Sequence, residues 1–229
     1  MLSFTFVVVL LIGILFMGLP VAFSLGGTSL VLIWLFELPM KVVGATIFTS
    51  LEGFVLLAIP LFVLMSQILL DGRIGDDLFD VMNAWVRHLP GGLAIATILA
   101  CAFFAAITGS GAATAATIGM VAYPAMTERG YDKRFTLGLL AAGGTLGILI
   151  PPSIPLILYG AITEESVGKL FIAGVVPGLV LTALFIVYAV YKSKRGGFTP
   201  MERTSWSERL RVTRKNIWGI FLPFLIIGG

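Results

Sequence analysis

The hydrophobic positions along this chain do not alternate in twos, as strands would; they form a series of apolar runs of about 15 to 23 residues separated by short polar breaks. Runs of that length predict helices with apolar surroundings on every side. Leu2 to Met17 and Val21 to Phe36 are the first two. They join at Gly18-Leu19-Pro20, where Pro20 has no N–H and restricts the residue before it, so they predict a helical hairpin. Glu37 to Ser50 is mixed in character, and Gly53 to Leu70 is a third run, ended by Asp71-Gly72.

The pattern then changes. From Asp71 to Pro90 charges alternate with apolar residues, and Leu78, Met82, Trp85 and Val86 recur at the spacing of one helix face. Residues 71–92 therefore predict an amphipathic helix, either lying in the membrane interface with Trp85 at headgroup level or packed on its own protein.

Length decides the reading of Gly91 to Met126. As one straight helix its 36 residues would run about 54 Å, against a hydrocarbon core of about 30 Å. Two full spans would need about 40 apolar residues and a turn besides. The stretch predicts a re-entrant hairpin turning at Gly109-Ser110-Gly111, with Leu93 to Ile107 entering and Ala112 to Ala125 returning. Phe135 to Gly160 is long enough to cross once, but Pro151, Pro152 and Pro155 lie inside it. Each proline removes a donor and crowds the preceding turn, so the segment predicts a discontinuous helix: Phe135 to Leu149, an unwound stretch, then Ile154 to Tyr159.

A loop bearing Glu164 and Glu165 follows, then a full span at Leu170 to Tyr191. Beyond it Lys192 to Lys215 holds eight of the fifteen Lys and Arg residues, which marks a cytoplasmic arm rather than a nucleic-acid surface. With the arm inside, the Lys- and Arg-bearing loops at 71–90 and 128–134 fall on that same side only if 91–126 does not cross. The N-terminus then lies outside. It lacks the basic n-region of a signal peptide, having no Lys or Arg before Lys41, and reads as a retained helix. Ile217 to Gly229 covers only about 20 Å with its 13 residues and reads as the start of a further transmembrane helix.

Composition agrees with this pattern: 58% of residues are hydrophobic, 12% are charged, and the mean hydropathy is +1.04, far from the quarter charged of soluble domains. The fold class is an all-α polytopic membrane protein. Cys101, alone in an apolar setting, reads as a small packing residue, and His88 beside Arg87 as an interfacial side chain rather than a metal ligand. No paired buried carboxylates, no His or Cys cluster and no GxxxxGK[ST] loop occur, so the chain reads as neither an enzyme nor an ATPase.

The chemistry concentrates where the backbone is irregular. Irregular backbone at membrane depth is tolerated only inside protein or along a cavity. The hairpin tip and the proline-broken helix therefore predict two elements that face each other. Ser110, Thr114 and Thr117 leave the tip, Thr145 precedes the break and Ser153 lies in it, supplying the hard oxygen atoms a small alkali cation prefers. Gly109, Gly111, Gly143, Gly144 and Gly147 allow close approach, with Gly143 and Gly147 a small-xxx-small pair.

The stretches GSGAATAATIGMVAYPAM and GYDKRFTLGLLAAGGTLGILIPPSIPLILYG, with the opening GLPVAFSLG, resemble the large membrane subunit (M, or DctM-type permease) of the tripartite ATP-independent periplasmic, or TRAP, transporters. The resemblance covers essentially the whole chain and implies the first half of an inverted-repeat elevator transporter. In that reading residues 1–70 are scaffold helices, 93–127 and 128–160 move as the transport domain, 161–191 is an external loop and a transmembrane helix, and 192–229 is the arm and the start of the next helix, with Leu170 onward belonging to scaffold or connecting arms. The resemblance implies sodium at Ser110 and Thr114 with the carbonyls of Gly147, Ile150 and Pro152. It places substrate at Gly109, Ser110, Gly111, Thr145 and Ser153, shaped by Gly143, Gly144, Pro151 and Pro155. It also implies an organic acid cargo of the C4-dicarboxylate or sialic acid type, no organic cofactor, the inner membrane and its lipid, a small (Q-type) membrane subunit and a periplasmic (P-type) binding protein. Two other readings stay open at this point: a stand-alone ion-coupled anion carrier with paired hairpins, and a membrane anchor subunit whose glycines only pack.

Overall fold

The computed structural model describes residues 2–51, 54–198 and 200–228, and every regular element among them is an α-helix. The chain divides into two units, residues 1–53 and 54–229. In the first, α1 (Leu2–Phe16) and α2 (Val21–Leu35) pack on each other across the turn predicted at Gly18–Pro20, and α3 (Lys41–Leu51) follows in the stretch of mixed character. Ser24 and Thr28 are buried on α2, and their hydroxyls return to carbonyls nearby: Thr28 Oγ1 donates to Ser24 O at 2.7 Å and Ser24 Oγ to Pro20 O at 3.3 Å. The outward side chains, Phe4, Phe16, Phe23 and Trp34, are apolar and exposed. Helices apolar all round belong in lipid or against other helices.

The second unit holds α4 (Phe54–Asp71), α5 (Ile74–Val86), α6 (Gly92–Thr108), α7 (Gly111–Glu128), α8 (Lys133–Leu149), α9 (Ile154–Thr163), α10 (Val167–Arg195), α11 (Trp206–Lys215) and α12 (Ile217–Gly228). Glu52 and Gly53, at the start of the third predicted run, lie outside the described residues. The centre of the unit is α6, which packs against α4, α5, α7, α8, α10 and α12. Its sequence explains that position, because Ala94, Ala96, Ala100 and Ala105 keep the neighbours' backbones close while Ile98, Phe104 and Ile107 fill the remaining volume. Cys101 sits in this core; a Cβ at Gly143 would lie 2.7 Å from its Sγ.

Among the described residues two stretches are long and apolar enough to cross a membrane, Lys133–Thr163 and Val167–Arg195, by length and composition. On α10 the buried positions are small, Gly174, Gly178, Thr182, Ala189 and Ser193, and the large ones, Ile172, Val176, Leu179 and Val187, are exposed. That is a lipid-facing helix turned inside out relative to a soluble one: small residues meet protein and large residues face out.

The chain bends 66° between α4 and α5. The apolar face of α5 is covered by protein: Leu78, Phe79, Val81 and Met82 are buried, and α5 packs on α6, α7, α11 and α12. Periodicity alone left interface and protein equally open as its cover. Trp85 donates from Nε1 to Thr213 Oγ1 at 3.0 Å and meets the Trp206 ring edge to face at 6.0 Å. Arg209, buried between Trp85 and Trp206, donates to His88 Nδ1 at 3.4 Å. Partial burial, then the nearby Arg203 and Arg209 charges, lower the His88 pKa and keep the ring a neutral acceptor. The second half of the basic arm is thus a folded helix. Its first turn is capped by Ser205, whose Oγ accepts from Glu208 N at 3.3 Å.

Candidate functional site

The site forms where α6 gives way to α7 and α8 gives way to α9. At the first junction, α6 ends at Thr108, Gly109 turns through a left-handed φ of +61°, and Ser110 is the N-cap of α7. Ser110 Oγ accepts from Ala113 N at 3.4 Å, and Ser110 O accepts Thr114 N at 3.0 Å and Thr114 Oγ1 at 2.8 Å. Thr114 is fully buried, and its hydroxyl lies 3.3 Å from that of Thr108. The tip is therefore a small knot of hydroxyls tied to backbone.

At the second junction α8 stops at Leu149, Ile150 is extended, and α9 resumes at Ile154. The prolines dictate this interruption. The amides that would reach back to the carbonyls of Gly147 and Ile148 belong to Pro151 and Pro152, which have no N–H. Ser153 Oγ takes over at Ile148 O at 2.6 Å. Among the described residues no hydrogen bond reaches the carbonyls of Gly147, Ile150 or Pro152.

The two junctions touch. Ile154 N donates across to Gly109 O at 3.3 Å, and a Cβ at Gly109 would lie 2.5 Å from Pro152 O. A Cβ at Gly147 would lie 2.8 Å from Gly111 N and 2.9 Å from Ser110 O. Only glycine permits either approach. Gly144 packs equally close to Ala115 and Gly111, and Gly143 faces α6 at Cys101. Gly109, Ser110, Gly111, Thr114, Gly147, Pro152 and Ser153 are thus brought together. Ile150 adjoins them through its backbone while its side chain packs at Gly178 of α10. Pro151 is buried in the break, and Pro155 is exposed in the first turn of α9.

Two side chains lie elsewhere. Thr145 is exposed and donates to Ala142 O of its own helix at 2.6 Å. Thr117 is buried with its methyl against Gly75 of α5, about two turns along α7 from the tip. Two residues join the site without having been singled out. Thr108 was legible as the hydroxyl opening the polar stretch. Ser66 of α4, which donates to Thr108 O at 3.0 Å, sits 42 residues away in sequence and carries no local signal.

Four helix ends meet here: the carbonyl ends of α6 and α8, which are partially negative, and the amide ends of α7 and α9, which are partially positive. No Asp, Glu, Lys or Arg lies between His88 and Thr127 or between Phe135 and Thr163, so the polarity of the site comes from backbone dipoles and hydroxyls. Such a junction offers oxygen atoms to a cation and amides to an anion.

The apolar helices and their lipid-type packing make the chain a polytopic α-helical membrane protein. The sequence model of the family described as "Tripartite ATP-independent periplasmic transporter, DctM component" matches residues 8–229, and the chain belongs to that family. It is 40% identical over 224 residues to the C4-dicarboxylate TRAP transporter large permease protein DctM of Vibrio cholerae, covering 96% of this chain and 49% of the relative. It is 44% identical over 209 residues to the protein of the same name from Pseudomonas aeruginosa, covering 90% and 48%. With the sialic acid TRAP transporter large permease protein SiaM of Vibrio cholerae it shares 32% identity over 219 residues, covering 95% and 51%. The chain spans about half the length of these relatives. They are named as transporter permeases, not enzymes, and with the apolar helices they indicate a protein of the bacterial inner membrane.

Proposed function

We propose that this chain is the first half of the permease subunit of a sodium-coupled, binding-protein-dependent importer of organic acids, and that the junction of tip and break is its ion and substrate site. In this reading α6 and α7 form a re-entrant hairpin with its tip at mid-membrane, and α8 and α9 are one discontinuous transmembrane helix. Sodium is held by Ser110 and Thr114 together with the carbonyls of Gly147, Ile150 and Pro152, which accept no hydrogen bond among the described residues. Hard cations take neutral oxygens of this kind. The carboxylate of the cargo lies against the amide ends of α7 and α9, beside Gly109, Gly111 and Ser153.

Residues 93–159 carry the site across as an elevator, against scaffold formed by 1–70 and the helix after 167. A small membrane subunit braces that scaffold, and a periplasmic binding protein delivers substrate. The positive-inside bias puts the arm 192–215 and the loops at 71–90 and 128–134 in the cytoplasm, and the N-terminus outside. The names of the relatives favour a C4-dicarboxylate or sialic acid cargo.

The observation that carries this reading is the Ile154 N to Gly109 O bond at 3.3 Å, which seats the tip on the break. The test is uptake by the full-length protein in proteoliposomes, with its small subunit and binding protein, as external sodium is varied. Ser110→Ala should raise the half-saturating sodium concentration about tenfold or more, the loss of one oxygen ligand to a charged group. Ser110→Thr should restore it, because the hydroxyl and the helix cap both survive. Unchanged sodium dependence in Ser110→Ala combined with Gly147→Leu would remove the ion site from this junction.

A further inference from the structure

We propose that a cleft at the opposite end of α6, between the α5–α6 turn, the α7–α8 loop and the start of the basic arm, binds a phosphate-type oxyanion. The inference is independent of the sodium reading. Gly92 opens α6 and Thr108 closes it, a rise of about 24 Å at about 1.5 Å per residue, so the cleft is separate from the tip and break.

Arg87 and Arg129 both line the cleft, together with Tyr131 and Met201. Among the described residues neither arginine has a carboxylate partner; the one ion pair is Arg211 with Glu208 on α11. Arg87 Nε is wholly shielded from solvent and has no hydrogen-bond acceptor, and its Nη2 reaches only the Met201 sulfur at 3.5 Å. Among the described residues the Arg87 guanidinium thus has no anionic partner within the protein, a costly state for a charged group so largely withdrawn from water.

A second, independent donor set faces the same space. Gly92 and Leu93, the first turn of α6, also line the cleft. The N-cap Gly91 supplies no side-chain acceptor, and the amides of Leu93 and Ala94 donate to nothing among the described residues. Two guanidinium groups and an uncapped 17-residue helix start match the oxygens of a tetrahedral anion. Burial raises the Tyr131 pKa, so its phenol stays protonated and adds no opposing charge.

The walls are joined to one another. Tyr131 and Phe198 stack in parallel, centroids 3.9 Å apart and planes 5° apart, and Met201 N donates to Arg87 O at 3.1 Å, tying the arm to the α5–α6 turn. The cavity is about 60 Å³, room for a few water-sized groups where about 10–15 Å³ holds one. That suits a single phosphate group and excludes a nucleoside. Both a phospholipid headgroup, whose chains would lie outside along the helices, and free phosphate present this group.

The experiment separates the two sources. The full-length protein, stripped of lipid in a neutral detergent, is titrated with dioleoylphosphatidylglycerol or dioleoylphosphatidylcholine and examined by native mass spectrometry, with and without inorganic phosphate as competitor. A saturable lipid that prefers phosphatidylglycerol supports the headgroup source; inorganic phosphate that binds without lipid supports the free-anion source. In either case Arg129→Gln should weaken binding about tenfold or more, the scale of one charge-assisted hydrogen bond, while Arg211→Gln leaves it unchanged. Arg87→Gln should do the same where it folds, and the exposed Arg129 carries the test where it does not. Binding of neither probe, or equal binding by the Arg129 and Arg211 variants, overturns the proposal.

Discussion

Two helical hairpins in this chain begin from similar sequence and end in opposite surroundings. Both α1–α2 and α6–α7 join two apolar helices through a glycine with positive φ, +79° at Gly18 and +61° at Gly109. A Cβ at Gly18 would meet nothing within 4 Å, whereas one at Gly109 would lie 2.5 Å from Pro152 O. The first pair shows Phe4, Phe16, Phe23 and Trp34 on its outside; α6, with alanine at about a third of its positions, buries nearly all its length. The contrast teaches that mean apolarity does not say what a membrane helix faces. Side-chain size does: large residues end up outward, and small ones permit the backbone contacts that a polar junction needs.

The largest expected effect tests the packing side of that contrast. Phe104 is 0% exposed in α6, while Phe23 is 72% exposed on α2. Phe104→Ala should cost about 3–5 kcal/mol of stability through the cavity it leaves, and Phe23→Ala no more than about 0.5 kcal/mol. Thermal denaturation of the full-length protein in detergent reads both, and comparable losses would break the distinction between the hairpins.

The two turn glycines sharpen it further. Gly18→Ala brings only left-handed backbone strain, about 1–2 kcal/mol. Gly109→Ala adds the collision with Pro152 O, about another 1–3 kcal/mol of overpacking, and unseats the tip from the break. The expected result is a clearly larger fall in Tm for Gly109→Ala; equal falls would mean that the tip is free of the break in solution.

Much of this architecture was legible in the chain. Turn residues and run lengths located the junctions at Gly109-Ser110 and Pro151-Pro152, because a missing N–H and a tolerated positive φ are properties of the residues themselves. What required the structure was direction. The periodicity of α5 announced an apolar face, yet could not name its cover, which is α6 and α11 rather than lipid alone. Thr145 was grouped with the site by proximity to the break, but Gly143, Gly144 and Gly147 fix the inner face of α8, and at about 100° per residue Thr145 falls on the other side. Ser66 was invisible because a single serine in an apolar run has no local meaning until another helix's carbonyl is brought to it.

That serine supplies the finest test of the two hairpins, since both contain buried hydroxyls bonded to carbonyls. Ser66 Oγ reaches Phe62 O on its own helix at 2.8 Å and Thr108 O across the helix boundary at 3.0 Å. Thr108 O lies in the last turn of α6, where no backbone amide among the described residues returns to it. Ser66→Ala therefore leaves a buried carbonyl without a donor, at a cost of about 1–2 kcal/mol. Thr28 Oγ1 donates only to Ser24 O, four residues back on α2, where the helix's own amide already serves that carbonyl. Thr28→Val keeps the shape and orphans nothing, so its cost should stay within about 0.5 kcal/mol. The difference in Tm between these variants isolates the hydrogen bond from α4 to the end of α6. If Thr28→Val proves as damaging as Ser66→Ala, the hydroxyls act only within their own helices, and the α6–α7 tip owes its position to the glycine contacts alone.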